Sequence, residues 1–115
     1  MNVYDSAHAL AEIIRQSEEA QDYARLKEIA EGDETNRALL SEYRRLQMKL
    51  QLQAASGLQS QAEEVQRFQQ IASLLYMNSD VQAYMMAELR LQKMLADIFK
   101  ILTDASGMNM DLPNA

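Results

Sequence analysis

The stretch Asp80 to Thr103 constrains this chain more than any other. If it is helical, Tyr84, Leu91, Met94, Leu95, Ile98, Ile101 and Leu102 fill one arc, and Val81, Met85, Leu89, Ala96 and Phe99 fill the adjacent one. At ~100° per residue the two arcs cover roughly two-thirds of the circumference, whereas a surface helix of a globular domain carries a narrower stripe. Gln82, Met86, Arg90, Lys93, Asp97, Lys100 and Asp104 remain for water. Such a helix either sits at the centre of a bundle or buries one arc in its own chain and the other against a second chain.

Four more helices are expected before it. Val3, Ala7, Leu10 and Ile14 recur at helical spacing and form a seam for one partner helix, over Val3 to Gln16. Ser17 followed by Glu18 and Glu19 offers a capping hydroxyl and two carboxylates at a helix N-terminus, so a second helix is expected to restart there and run to Gly32, read as its C-terminal cap, the alternative being a continuation of the first helix. Asp33 and Asn36 open an amphipathic helix carrying Leu39, Leu40, Tyr43, Leu46, Leu50 and Ala54 to about Ser56. Met48 and Leu52 lie on its opposite side. Beyond Gly57, the apolar positions Leu58, Ala62, Val65, Phe68, Ala72 and Leu75 define a fourth helix, and Asn78, Ser79 and Asp80 supply turn and capping chemistry before the fifth. Gly107 closes that helix. The expected organisation is a single all-α domain over residues 1–107, an elongated bundle of about five helices, with 108–115 a disordered tail.

Composition narrows the function. Gly and Pro total four residues in 115, which fits long helices with few turns. A net charge of -6 argues against a phosphate-binding surface, so no direct nucleic-acid binding is expected. Arg44, Arg45 and Lys49 form the densest basic group, but Glu42 stands beside them. The absence of cysteine excludes disulfides, thiolate catalysis and Cys-ligated metal centres, and suits a reducing cytoplasm. No window has the ~18 continuous apolar residues of a spanning helix, so no membrane insertion is expected.

Chemistry has little foothold. His8 is the only histidine, and its i+4 neighbour Glu12 makes it a helix-edge residue beside a carboxylate. No Glu-x-x-His pair, phosphate-cradling glycine loop or nucleophile elbow is present. Glu88 and Gln92 stand between the two arcs of the last helix, where low exposure is expected, and are read as fixing register or partner choice. The expectation is no catalytic residue, no metal and no cofactor.

Val3-Tyr4-Asp5-Ser6-Ala7 with Leu10 and Ile14, then Ser17-Glu18-Glu19, Tyr43-Arg44-Arg45-Leu46-Gln47 and Gly57, followed by Glu88, Leu91, Leu95, Ile98 and Ile101, resemble the YlbF/YmcA family of small bacterial helical proteins. The resemblance implies a dimer-forming, non-enzymatic cytoplasmic protein. Its best-understood relatives are regulatory adaptors in competence, sporulation and biofilm development, and join a complex that modulates a membrane-bound endoribonuclease and thereby mRNA processing. Some of them hold an iron-sulfur cluster through cysteines. This sequence has none and looks closer to the YheA-type branch.

Two functions from different classes follow. One is a regulatory adaptor acting through protein-protein contact. The alternative is a structural or chaperone-like oligomerisation module with a methionine-rich surface around Met77, Met85, Met86 and Met94. In either case a homodimer is expected. The arc of Val81, Met85, Leu89, Ala96 and Phe99, with Glu88 and Gln92 at its edge, lacks cover in its own chain, and Met48 and Leu52 are its natural complement across a twofold axis.

Overall fold

The computed structural model describes residues 2–108. Five helices follow one another: α1 Val3–Gln16, α2 Glu18–Glu31, α3 Glu34–Ala55, α4 Ala62–Tyr76 and α5 Ser79–Ser106. No strand occurs among the described residues, so the all-α expectation holds. The expected tail lies outside the described residues except for Met108, which is exposed.

The boundaries are set by side chains that satisfy free backbone groups. Asn2 Oδ1 accepts the amide of Asp5 at 2.8 Å, and Asp33 Oδ1 accepts that of Asn36 at 3.0 Å. Ser17 is the single extended residue between α1 and α2. Its hydroxyl donates to the Ile14 carbonyl at 2.6 Å and accepts the Ala20 amide at 3.2 Å, ending one helix and starting the next. Asn78 Oδ1 accepts the amides of Asp80 and Val81 and so caps α5.

Gly57 terminates α3 with φ +73°, donating to the Ala54 carbonyl while Leu58 donates to that of Gln53. This is the paired closure that satisfies two orphan carbonyls and requires a left-handed residue. It corrects the expected start of α4. The amide of Leu58 is spent on closing α3, residues 58–61 are not helical, and α4 begins at Ala62. Gly32 also differs from expectation: it follows α2 without a positive φ. An added Cβ there would stand 3.1 Å from the Glu28 carbonyl oxygen, so close approach rather than handedness favours glycine.

The chain forms two compact units, Lys27–Ala83 and the paired segments Met1–Leu26 with Tyr84–Ala115. In the first, α3 and α4 are antiparallel neighbours. Asn36, Glu42 and Lys49, rising along α3, meet Asn78, Arg67 and Glu64 in falling order. Tyr43 stacks on Phe68 with ring centroids 4.9 Å apart. Leu40, Leu46, Ile71 and Leu75 are buried in this unit, as are Ala30 and Val81.

The second unit joins α1 and most of α2 to the greater part of α5. Tyr23 meets Tyr84 at 5.6 Å between ring centroids, and Tyr84 and Ala87 are its buried residues. Neither α1 nor α5 beyond Ala87 contributes a buried residue.

Candidate functional site: an uncharged groove between the first and last helices

The apolar seam of α1 does not seat on a neighbouring helix as expected. Val3, Ala7, Leu10, Ala11 and Ile14 line one wall of an open groove of about 890 Å³, and Ile98, Leu102 and Ala105 of α5 line the other. Asn2, Ser6 and Ser106 complete the lining, so no charged side chain reaches it. The helical repeat places these α1 residues on one face, and the small side chains of Ala7, Ala11 and Ala105 keep the groove open. Val3, Leu102 and the flanking Tyr4, Ile13 and Ile101 are all exposed. A second, smaller cleft of about 370 Å³ is lined by Glu19, Arg90, Lys93, Met94, Asp97 and Ile98. Lys93 and Asp97 pair with each other at its edge, 3.0 Å apart.

The residues expected to form an interface are not equivalent. Met48 and Leu52 of α3 are 65 % and 62 % exposed, and Leu89 of α5 is 58 % exposed. Met85, Glu88, Ala96 and Phe99 are half-buried. Val81 is fully covered within its own chain, which corrects the expectation that its whole arc stands open. Gln92 is exposed rather than shielded. Conversely, Leu95, Ile101 and Leu102, on the arc expected to be covered, are exposed. The reason is axial. A view down the helix assigns angle but not height, and α5 buries Val81, Tyr84 and Ala87 near its start while its later turns bury no residue on either arc.

The remaining candidates have local partners. Glu12 does not serve His8: Arg15 Nε donates to one of its oxygens at 2.9 Å and Gln16 Nε2 to the other at 3.0 Å. The hydrogen bond from Arg15, then that from Gln16, holds Glu12 below the usual carboxylate range. Glu42 is likewise held low, chiefly by the hydrogen bonds of Arg67, against a smaller opposing effect of burial. Lys49 pairs with Glu64, so the basic group on α3 is partly neutralised. Among the described residues no three His, Asp or Glu side chains gather as metal ligands, and no helix is long and apolar enough to cross a membrane.

Sequence reasoning identified the α1 seam but assigned it a partner helix. It passed over Ala105 and Ser106, whose helical spacing from Leu102 and Ile98 could have extended the apolar face to the end of α5.

Residues 3–105 match the family model described as "Control of competence regulator ComK, YlbF/YmcA". A UPF0342 protein of Caldicellulosiruptor bescii is 33% identical over 104 residues, covering 90% of this chain and 87% of that one. One from Alkalihalophilus pseudofirmus is 38% identical over 103 residues, with the same two shares. Among solved structures, a protein of unknown function (DUF964) from Bacillus stearothermophilus superposes with a TM-score of 0.76 at 23% identity, over 91% of this chain and 92% of that one. Bacillus subtilis RicA, solved in complex with RicF, gives 0.62 at 23% identity over 91% and 94%. At that identity the likeness concerns the fold.

Proposed function

The chain belongs to the YlbF/YmcA family, and from that premise we propose that it is a non-enzymatic regulatory adaptor of the cytoplasm that self-associates and binds another protein. The observation that carries this reading is the uncharged apolar groove of α1 and α5 together with the exposed Leu89, Met48 and Leu52. Apolar surface of this kind gains free energy when another macromolecule displaces its water, and its polar surroundings keep the free protein in solution. The family's link to competence control supports a regulatory role, and the RicA–RicF complex supports contact between helical proteins as its means. The finer reading, action in competence, sporulation or biofilm control through mRNA processing, rests on the family alone. The absence of cysteine favours the YheA-type branch and a mode of action without an iron-sulfur cluster.

The alternative, a structural or chaperone-like oligomerisation module, draws on Met77, Met85, Met86 and Met94, of which Met77 and Met86 are exposed. Affinity capture from the native cytosol separates the two. The adaptor reading expects one partner in fixed stoichiometry, lost when Leu89 is replaced by Arg, whereas a mixture of unfolded proteins would contradict it.

A further inference from the structure

We propose that the groove between α1 and α5 is a small-molecule site for a single-chain amphiphile with an uncharged, hydrogen-bonding head group, of the monoacylglycerol type, taken up from water. This goes beyond protein contact and gives the largest apolar site a ligand of its own.

The first argument is layout. Both walls of the groove belong to one compact unit. Ile98 also lines the smaller cleft to which Glu19 contributes, so the last turn of α1 lies toward the Ile98 end of the groove and its first turn toward the Ser106 end. Asn2, Ser6 and Ser106 are the polar lining residues, and they gather at that second end. Ala7, Leu10, Ala11 and Ile14 on one wall, with Leu102 and Ile98 on the other, leave the rest of the lining apolar. Exposure follows the same gradient. Asn2, Val3, Ser6, Ala105 and Ser106 are exposed, whereas Leu10, Ala11, Ile14 and Ile98 are half-buried. A docking helix presents an apolar stripe along its whole length. A trough with a wet polar mouth and an apolar inner end fits instead a molecule that is polar at one end only.

The second is size. The groove measures about 890 Å³, inside the range of roughly 300–1,000 Å³ taken by small-molecule sites. Ile98 and Ser106 stand about 12 Å apart along α5 at ~1.5 Å rise per residue. One acyl chain laid lengthwise reaches the inner end while its head stays at the mouth. The small side chains of Ala7, Ala11 and Ala105 leave the room for it.

The third is charge. No Asp, Glu, Lys or Arg lines the groove, so a charged head would find no counter-charge there. The net charge of -6 repels a carboxylate in particular, and Asp5 already occupies the positive end of the α1 dipole. Asn2 and the two serines offer hydrogen bonds without charge. Because Asn2 Oδ1 accepts the Asp5 amide, its Nδ2 is the group left to donate to a head-group oxygen.

Titration calorimetry of the full chain with monolauroylglycerol, kept below its micellar concentration, tests this. Saturable one-to-one binding is expected, tighter than that of dodecanoate by roughly tenfold or more. Ala7→Phe, at an exposed position, fills the groove without adding charge. It is expected to weaken binding by roughly tenfold or more with helical circular dichroism retained. If that variant loses helicity, Ala105→Phe on the opposite wall decides instead, with the same expected loss. Leu52→Ala on α3 is expected to bind as the wild type does. Absence of saturable binding, equal binding of dodecanoate, undiminished binding by the filled groove, or recruitment of the chain to neutral phospholipid vesicles would overturn the proposal. A chain that binds no amphiphile yet captures one stoichiometric protein partner would remove this proposal and leave the adaptor reading standing.

Discussion

Glu42 on α3 and Arg67 on α4 form a two-pronged pair, Oε1 accepting from Nε at 2.9 Å and Oε2 from Nη2 at 3.0 Å. It lies one residue from the Tyr43–Phe68 stack on both helices and fixes the register of the antiparallel pair. Because Arg67 depresses the pKa of Glu42, the folded chain binds fewer protons than the unfolded one at mildly acidic pH. The pair's stabilisation is then complete above the pKa of the unfolded carboxylate and is lost as pH falls through the folded value. The difference in thermal midpoint between wild type and Glu42→Gln should therefore be largest near neutral pH and shrink on acidification. A difference constant with pH would show that the pair contributes no linked protonation.

Ile71 is fully buried among the α3–α4 residues. Ile71→Ala should destabilise the chain by about 2–5 kcal/mol, combining lost apolar transfer with the cavity left behind. Denaturant unfolding at one fixed protein concentration checks this, since dimerisation would otherwise shift the midpoint. A loss below ~1 kcal/mol would mean that the site collapses or is less tightly packed than its burial indicates.

Gly57 and Gly32 call for different substitutions. Gly57 has φ +73° with nothing within 4 Å of an added Cβ, so Gly57→Ala meets only backbone strain, about 1 kcal/mol, and Gly57→Asn should cost less. At Gly32 the cost comes from the Glu28 carbonyl oxygen, so Asn should be no better than Ala there. Paired thermal melts of the four variants read the contrast directly.

His8 is exposed on α1, and Glu12 is engaged by Arg15 and Gln16. His8→Gln should leave stability within roughly 0.5 kcal/mol of wild type and leave assembly unchanged. Loss of a stoichiometric metal on that substitution would contradict the reading of His8 as a helix-edge residue.

Much of this architecture was legible because the helix ends carry their own chemistry. Asp33, Ser17 and Asn78 cap where their side-chain oxygens can reach free amides, and Gly57 and Gly107 adopt the left-handed conformation that stops a helix. Leu58 escaped because its apolar side chain fits the period of α4, while the bond made by its amide belongs to α3. The division of α5 escaped for a different reason. Val81 and Phe99 share an angle on the helix but not a height, so one is fully buried and the other half-buried. The groove was half legible: periodicity located the α1 seam, but which surface a seam meets is a tertiary fact that spacing does not carry.

The central claim is that, with the groove free of ligand, the apolar face of α1 is packed only when a second copy is present. Hydrogen exchange of the amides of residues 6–14, compared at high and low protein concentration, tests it most directly. Strong protection at high concentration should fall away on dilution, while the amides of Leu40, Leu46, Ile71 and Leu75 stay protected at both. Exchange from α1 that is the same at both concentrations would contradict the account.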